Sequence, residues 1–436
     1  MTEDDYCGFV PSDTSPSLRP HVLAVGFLIL VVAGAVLTDT PSPERARLAA
    51  SSTAGQHAFR QFTTNAAFVA GLNEGTSVSG GAVRFSRPMG RINSAGRSWA
   101  WARWTSGWVR PARPFTQLVP SWNVVTPPNT AVQVQARIRS TTGKVGTYKT
   151  IATWASRDDL FRRTSAGPQR GPLVRLDTDT LQAASGVAFN GYQLRVLTLR
   201  TPGKAVTPVV NSIQAIASRP ATMRQPTSKP LYGAKELAVP RYSQMTHRGQ
   251  YPKYGGGGEA WCSPTSLSMI LGYYKALPSK TNYAWVNKSY ADPWVDHVAR
   301  VVYDYGYSGA GNWPFNTAYA ANLTGEAFVT RLPSLREAER FIRAGIPLAA
   351  SISFGRGGLT GAPIGSTAGH LVVITGFTAA GKVIVNDPAA PNNSSVRRVY
   401  DRGQFERAWQ TRSAGTVYVV RNAQHPLPAR AGNTAW

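Results

Sequence analysis

The chain has 436 residues, 42% of them apolar and 16% charged, which is length for two domains and too little charge for a disordered polyelectrolyte. Basic residues outnumber acidic ones by 47 to 22, but the excess is spread along the chain, 26 against 11 up to position 230 and 21 against 11 beyond it. Nucleic-acid binders gather such charge into a stripe. No nucleic-acid partner is expected; a surface that tolerates anionic cell-wall polymer fits the balance better, and a compositional bias with no partner fits it better still.

Residues 22–37, VLAVGFLILVVAGAVL, form the one strong apolar run. It is shorter than the ~20 residues of a bilayer span. It suits the core of a signal peptide or N-terminal anchor over residues 1–38, with Ala33, Gly34 and Ala35 as small residues for cleavage. The remainder is therefore expected to be secreted or held at the cell surface, touching membrane only through that segment if it is retained. Cys7 then falls on the discarded or cytoplasmic side. The exported part holds Cys262 alone, and no disulfide is expected within it.

Residues 39–56, DTPSPERARLAASSTAGQ, read as a flexible stalk. From 57 to 218 the pattern is β. AVQVQARIRS (131–140) alternates strictly, TTGK offers a turn, and YKTIATWA continues. GYQLRVLTL (191–199) alternates again, with Leu194, Val196 and Thr198 on one face, and VVNSIQAIAS (209–218) closes the region. Short period-two strands between turns predict an all-β, jelly-roll-like sandwich. It carries Trp99, Trp101, Trp104, Trp108, Trp122 and Trp154. Stacking on sugars is one use for them, and filling the core is the favoured one. Residues 219–240 hold four prolines and no period, so 219–237 read as a linker or a strap.

The pattern then changes. Helices are expected after Cys262, over 293–306, and from Ser334 to before Gly345, the last opened by an S-x-x-E capping box. Strands follow at 346–354, 370–378, 382–387 and 396–400, then a short helix at 403–410 and a strand at 416–421. Helices first and an antiparallel sheet after them make an α+β domain over 238–422, with a tail at 423–436.

The chemistry gathers around GGGGEAWCSP (255–264). Pro264 suits a first helical turn. Cys262 then stands at a helix N-terminus, where the macrodipole favours a thiolate. The glycines, Gly258 among them, let a substrate chain approach, and Trp261 walls the site. Of the histidines, His297 reads as a surface or packing residue, and His247 lies in a loop able to approach the cysteine. His370 opens an apolar strand after a loop ending in Gly369. In a hairpin turning near 379–382, His370 and Asp387 fall side by side at one sheet edge, the arrangement of a nucleophile's base and its orienter. No metal site or cofactor is indicated: no second cysteine lies near Cys262, the histidines lack ligand spacing, and no glycine run carries a phosphate-loop lysine.

WCSPTSLSMIL, then GHLVVITGF, then VIVNDPA resemble the bacteriocin-processing, double-glycine-type peptidase family of the papain superfamily, in its stand-alone secreted branch, over roughly 238–422. The resemblance implies a papain-like cysteine peptidase domain acting on a peptide or protein substrate. Cys262 would form a thioester, His370 would be the base and Asp387 its orienter. It also implies a glutamine upstream of the cysteine that stabilises the oxyanion. The family places it a few residues before the cysteine, whereas here the candidates are Gln250 and Gln244; VPRYSQ resembles the family's entry and favours Gln244. The transporter portion of the family has no counterpart, so leader cleavage coupled to export is not expected. Two alternatives share the sequence: a peptidoglycan stem-peptide hydrolase or acyl transferase on the same triad, and a non-enzymatic surface protein that binds through the sandwich.

Overall fold

The computed structural model describes residues 56–430 apart from Leu160, together with Gly432, Ala435 and Trp436. The apolar run, the stalk up to residue 55 and Cys7 lie outside the described residues.

The first half is built from two antiparallel sheets. One has eight strands around Gln117–Val125 and Val209–Arg219; the other has seven around Thr130–Ser140 and Phe189–Arg200. The alternation read from the sequence holds from Leu194 to Thr198, where Leu194, Val196 and Thr198 are buried and Arg195 and Leu197 are half-buried, whereas Gln193, on the same side as Arg195 and Leu197, is buried. Inward side chains of both sheets, among them Val134, Val196, Ile213 and Ala215, join one hydrophobic core. Trp99, Trp104, Trp122 and Trp154 are fully buried. Those four rings fill the interior, where each supplies a large apolar area, and offer no face to a sugar.

The second half carries helices Cys262–Tyr273, Pro293–Val302 and Trp313–Thr324, then a seven-stranded antiparallel sheet. Its order is Glu326–Arg331, Thr416–Arg421, Leu348–Phe354, Thr367–Phe377, Val383–Asn386 and Arg397–Tyr400. Lys235–Glu236 also pairs with Thr367–Phe377, so the proline-rich segment before it is a strap bonded to this half. Glu339 accepts from the N–H groups of Leu231 and Tyr232, and Glu406 from that of Ser228.

Three differences from the sequence reading have identifiable causes. The helix expected over 293–306 stops at Val302, because the side chain of Arg163 takes the carbonyls of Arg300 and Tyr303. Ser334 stands at the start of helix Leu335–Arg343 without a side-chain cap bond; Glu406 accepts from Leu335 N instead. Helix Trp313–Thr324 and strand Glu326–Arg331 were not expected. That helix is buried along most of its length, so it lacks the polar face that gives an amphipathic period.

It is buried because the two halves share one core. Trp122 and Trp154 meet Phe315 edge-on, with centroids 6.1 and 5.0 Å away, and Phe59 packs on Phe328 at 4.7 Å. The C-terminal tail is docked too: Trp436 packs on Phe341 at 4.9 Å, and its indole N–H donates to Pro428 O.

Candidate active site

Cys262 is the first residue of its helix, as the Ser263-Pro264 step suggests, and is 1% exposed. The chemistry below belongs to Cys262 as the reduced thiol. One turn along, Ser266 Oγ donates to Leu371 O at 3.0 Å. That bond fixes the start of the Cys262 helix against the strand carrying His370.

His370 lies in strand Thr367–Phe377, which begins three residues before the start read from the sequence. Val373 pairs with Asn386 and Phe377 with Val383, so the hairpin brings Asp387 to the His370 end of its neighbour. His370 Nε2 and Asp387 Oδ1 are 2.8 Å apart, and both side chains are buried. Asp387 also accepts from Ala389 N at 3.1 Å and, on its other oxygen, from Tyr400 Oη at 2.7 Å. Burial opposes its ionisation. The charge and hydrogen bond of His370 and the donors Tyr400 and Ala389 outweigh burial and hold the carboxyl below its ordinary range. Tyr400 was not singled out from the sequence. Only the strand after the hairpin brings it in, through the pairing of Val383 with Tyr400.

Gln244 is buried in the turn Gln244–His247. Its N–H donates to Pro388 O at 2.9 Å, which ties the turn to the Asp387 segment. Its amide Nε2 donates to Glu259 O, three residues before Cys262, and its Oε1 is buried without a partner. Gln250 instead turns to His247. His247 does not join His370; its Nδ1 lies 3.0 Å from Asp296 Oδ2 in a second, fully buried pair. His297 accepts from Trp285 Nε1, and burial pushes its ring down to about 4.

The glycine run works by backbone shape. Gly255, Gly256 and Gly257 all have φ between 86° and 104°, which side chains rarely adopt. A Cβ on Gly258 would stand 2.3 Å from the backbone of His247, so this glycine packs the run against the Gln244 turn. Trp261 is fully buried and donates its indole N–H to Tyr254 O. It anchors the loop from below and presents no wall to a substrate. Gly369 does border the cleft.

That cleft is a cavity of about 320 Å³, lined by Cys262 and Ala260, by Tyr307–Gly311 and Trp313, and by 351–353 and 368–369 with Leu371. Among the described residues, no group of three or more His, Cys, Asp and Glu side chains is placed to hold a metal ion.

Two family models match in succession: the Peptidase C39 N-terminal domain over residues 58–218 and the Peptidase C39 like family over residues 236–417. The chain belongs to the C39-like cysteine peptidase family. No curated protein matches it. Among solved structures it is similar to the accessory secretory protein 1, 2 and 3 structure of Streptococcus pneumoniae, at 12% identity over 37% of this chain and 95% of that one, with TM-score 0.18. It is also similar to the xylanase 10B CBM22-1–GH10 modules of Clostridium thermocellum, at 12% identity over 44% and 31% of the two chains, with TM-score 0.17. Scores this low carry no argument.

In this C39-like chain the N-terminal domain braces the loop that forms one wall of the cleft. Asp304 is fully buried, and its carboxylate collects Ser165 N, Gly306 N, Tyr307 N and Asn312 Nδ2. Those bonds shape the 304–312 loop around a strand of the sandwich. A Cβ on Gly306 would lie 2.4 Å from Ser165 O, so loop and sandwich touch backbone to backbone. Arg163, fully buried in the sandwich, donates across the boundary to Arg300 O and Tyr303 O. Asp179 accepts from Trp313 N at 3.2 Å.

Asp179 gives this boundary a pH dependence. Burial pushes its carboxyl up to about 6, against hydrogen bonds from Thr180 and Trp313. A carboxyl with a raised folded pKa contributes its stability below the unfolded value, about 3.9. That contribution is lost as pH rises through the folded value, about 6. Above it, the ionised group costs the fold on the order of 2–3 kcal/mol. Asparagine keeps an acceptor for Trp313 N and never ionises. Asp179→Asn is therefore expected to raise the thermal midpoint at pH 7–8 and to match the native protein near pH 4. A calorimetric series across that range checks it, and equal midpoints throughout would count against the ionised, buried Asp179.

Proposed function

We propose that this protein is a secreted cysteine peptidase that cleaves a peptide or protein substrate through a thioester on Cys262, with His370 and Asp387 completing its triad. The observation that carries the reading is the buried His370–Asp387 pair at the sheet edge against which the N-terminal turn of the Cys262 helix is bonded. Asp387 occupies Nε2 of the ring, which leaves Nδ1 for the thiol.

In this reading the Cys262 proton passes to His370, and the helix dipole and the imidazolium favour the thiolate. The thiolate attacks the scissile carbonyl carbon, and the oxyanion is met by N–H groups at the helix start and the second N–H of the Gln244 amide. His370 returns its proton to the leaving amine as the C–N bond breaks, leaving the acyl group on sulfur. Water, deprotonated by His370, then attacks the thioester and releases the acid and the thiol. Gly369 and the 307–311 loop flank the substrate. The N-terminal half, read as jelly-roll-like, acts as part of the enzyme, and the apolar run at 22–37 directs export.

The test is the pH dependence of Cys262 alkylation by iodoacetamide in reduced protein, native and His370→Ala. The native thiol is expected to react as a thiolate well below pH 8, and the variant's profile to rise toward the ordinary thiol value of about 8.5. Two superposed profiles near that value would remove the triad.

A further inference from the structure

The cleft beside Cys262 is apolar and small-walled, with one charged side chain on its lining, Arg412. Arg412 also lines an adjoining cavity with Arg407, and the two cavities share Ser353 and Ala368. Among the described residues, no Asp or Glu lines either cavity and neither arginine enters an ion pair. Both arginines add positive charge to the wall of this adjoining cavity, no carboxylate on that wall offsets it, and an anion there would be met by charge-assisted hydrogen bonds.

The loop is held in place. Ser413, next to Arg412, is buried, and its hydroxyl reaches Ser351 O and Trp409 O, each at 2.7 Å. Ser351 pairs with Leu371 and Ile352 with His370, so this anchor lies on the strand beside the candidate base. Thr411 Oγ1 donates back to Arg407 O. Ala414 has φ 54°, a left-handed conformation that costs a non-glycine residue energy; strain of this kind persists where the surroundings over-determine a shape. Gly415 follows at φ 79°, where a Cβ would stand 2.0 Å from Leu332 O. A surface loop whose only work is solvation has no need of such fixing.

We infer that Arg412 and Arg407 form an anion-selecting subsite of the cleft, which takes an acidic side chain or a free carboxylate of a peptide substrate next to the scissile bond. This rests on the peptidase reading above and names the substrate class it would take.

Two measurements separate the failure of each. The first needs no turnover: reduced protein is alkylated at low ionic strength by iodoacetate, an anion, and by neutral iodoacetamide. The ratio of the two rates is expected to fall about fivefold in Arg412→Ala, and further when Arg407→Ala is added. The difference should fade as added salt screens it. A ratio equal in native and variant proteins overturns the subsite. The second digests a proteome-derived peptide library and reads the cleavage sites by mass spectrometry. Asp or Glu is expected at one fixed position, preferred about tenfold over Gln, and the preference should disappear in the double variant. Cleavage with no acidic preference overturns the inference and keeps the peptidase. A changed alkylation ratio without any cleavage keeps the anion subsite and removes the peptidase.

Discussion

Replacing Asp387 with alanine is expected to lower turnover by on the order of 10²–10⁴-fold and to weaken the fold in the same protein. The carboxylate is 1% exposed and takes three donors, His370 Nε2, Tyr400 Oη and Ala389 N. Alanine leaves those donors buried and unmet, and each such loss costs about 1–3 kcal/mol. It also frees the imidazole to turn away from the thiol. Asparagine is the informative companion. It keeps an acceptor for His370, and the Tyr400 hydroxyl can accept from its amide. It loses the charge that supports an imidazolium, so the pH window in which thiolate and imidazolium coexist should narrow. The stability arm has its own sign. A carboxyl held below its ordinary range stabilises the fold above the unfolded value of about 3.9 and loses that contribution as pH falls through its folded value. The stability gap between native protein and Asp387→Ala should therefore be widest near neutrality and close in acid. Steady-state kinetics and denaturant melts across pH measure both arms. Undiminished turnover in the alanine variant would take Asp387 out of the reaction.

What could be read from the sequence was what local rules encode. A cysteine before Ser263-Pro264 stands at a helix start because proline suits a first turn, and the structure begins the helix at Cys262. His370 and Asp387 meet because a tight hairpin sets its own register, and a period of two decides which residues share an edge. The alternation from Leu194 to Thr198 was legible for the same reason. What was not legible depends on contacts far apart in the chain. Tyr400 reaches Asp387 from the next strand over, and no spacing within VRRVY announces it. Glu406 caps a helix 71 residues earlier in place of the Ser334 that the capping pattern favours. Helix Trp313–Thr324 has no polar face because sandwich and sheet enclose it, so the usual period is absent. The tryptophans had two uses on paper, and it took the position of Phe315 to show what Trp122 and Trp154 pack against. The Asp304 loop reads as an ordinary turn until Ser165, 139 positions away, donates to its carboxylate.

Removing residues 56–218 is expected to leave the C39-like half without a cooperative fold, although the family boundary at residue 236 suggests a separable unit. Helix Trp313–Thr324 would lose the Trp122 and Trp154 rings that cover Phe315, and strand Glu326–Arg331 would lose the Phe59 ring on Phe328. Deleting a single buried aromatic side chain costs about 3–5 kcal/mol, and a whole domain is stable by only about 5–15. The polar losses point the same way. Arg331 is buried, and its guanidinium is held by Gln117 and Ser218 of the sandwich. Burial already pushes it down to about 10, and in the fragment its bond to Thr416 would be the one that remains of these three. Asp304 would lose Ser165, and the 304–312 loop its seat on the sandwich. The fragment beginning at residue 219 should therefore bind a hydrophobic dye and melt without a sharp transition. In the full-length chain, Phe315→Ala should lower stability by about 3–5 kcal/mol, with both halves unfolding together. A fragment that melts sharply and keeps a thiol reactive well below pH 8 would show that the sandwich is dispensable to the cleft. A fragment that does neither makes the two halves one catalytic body, with the cleft wall as the reason they travel in one chain.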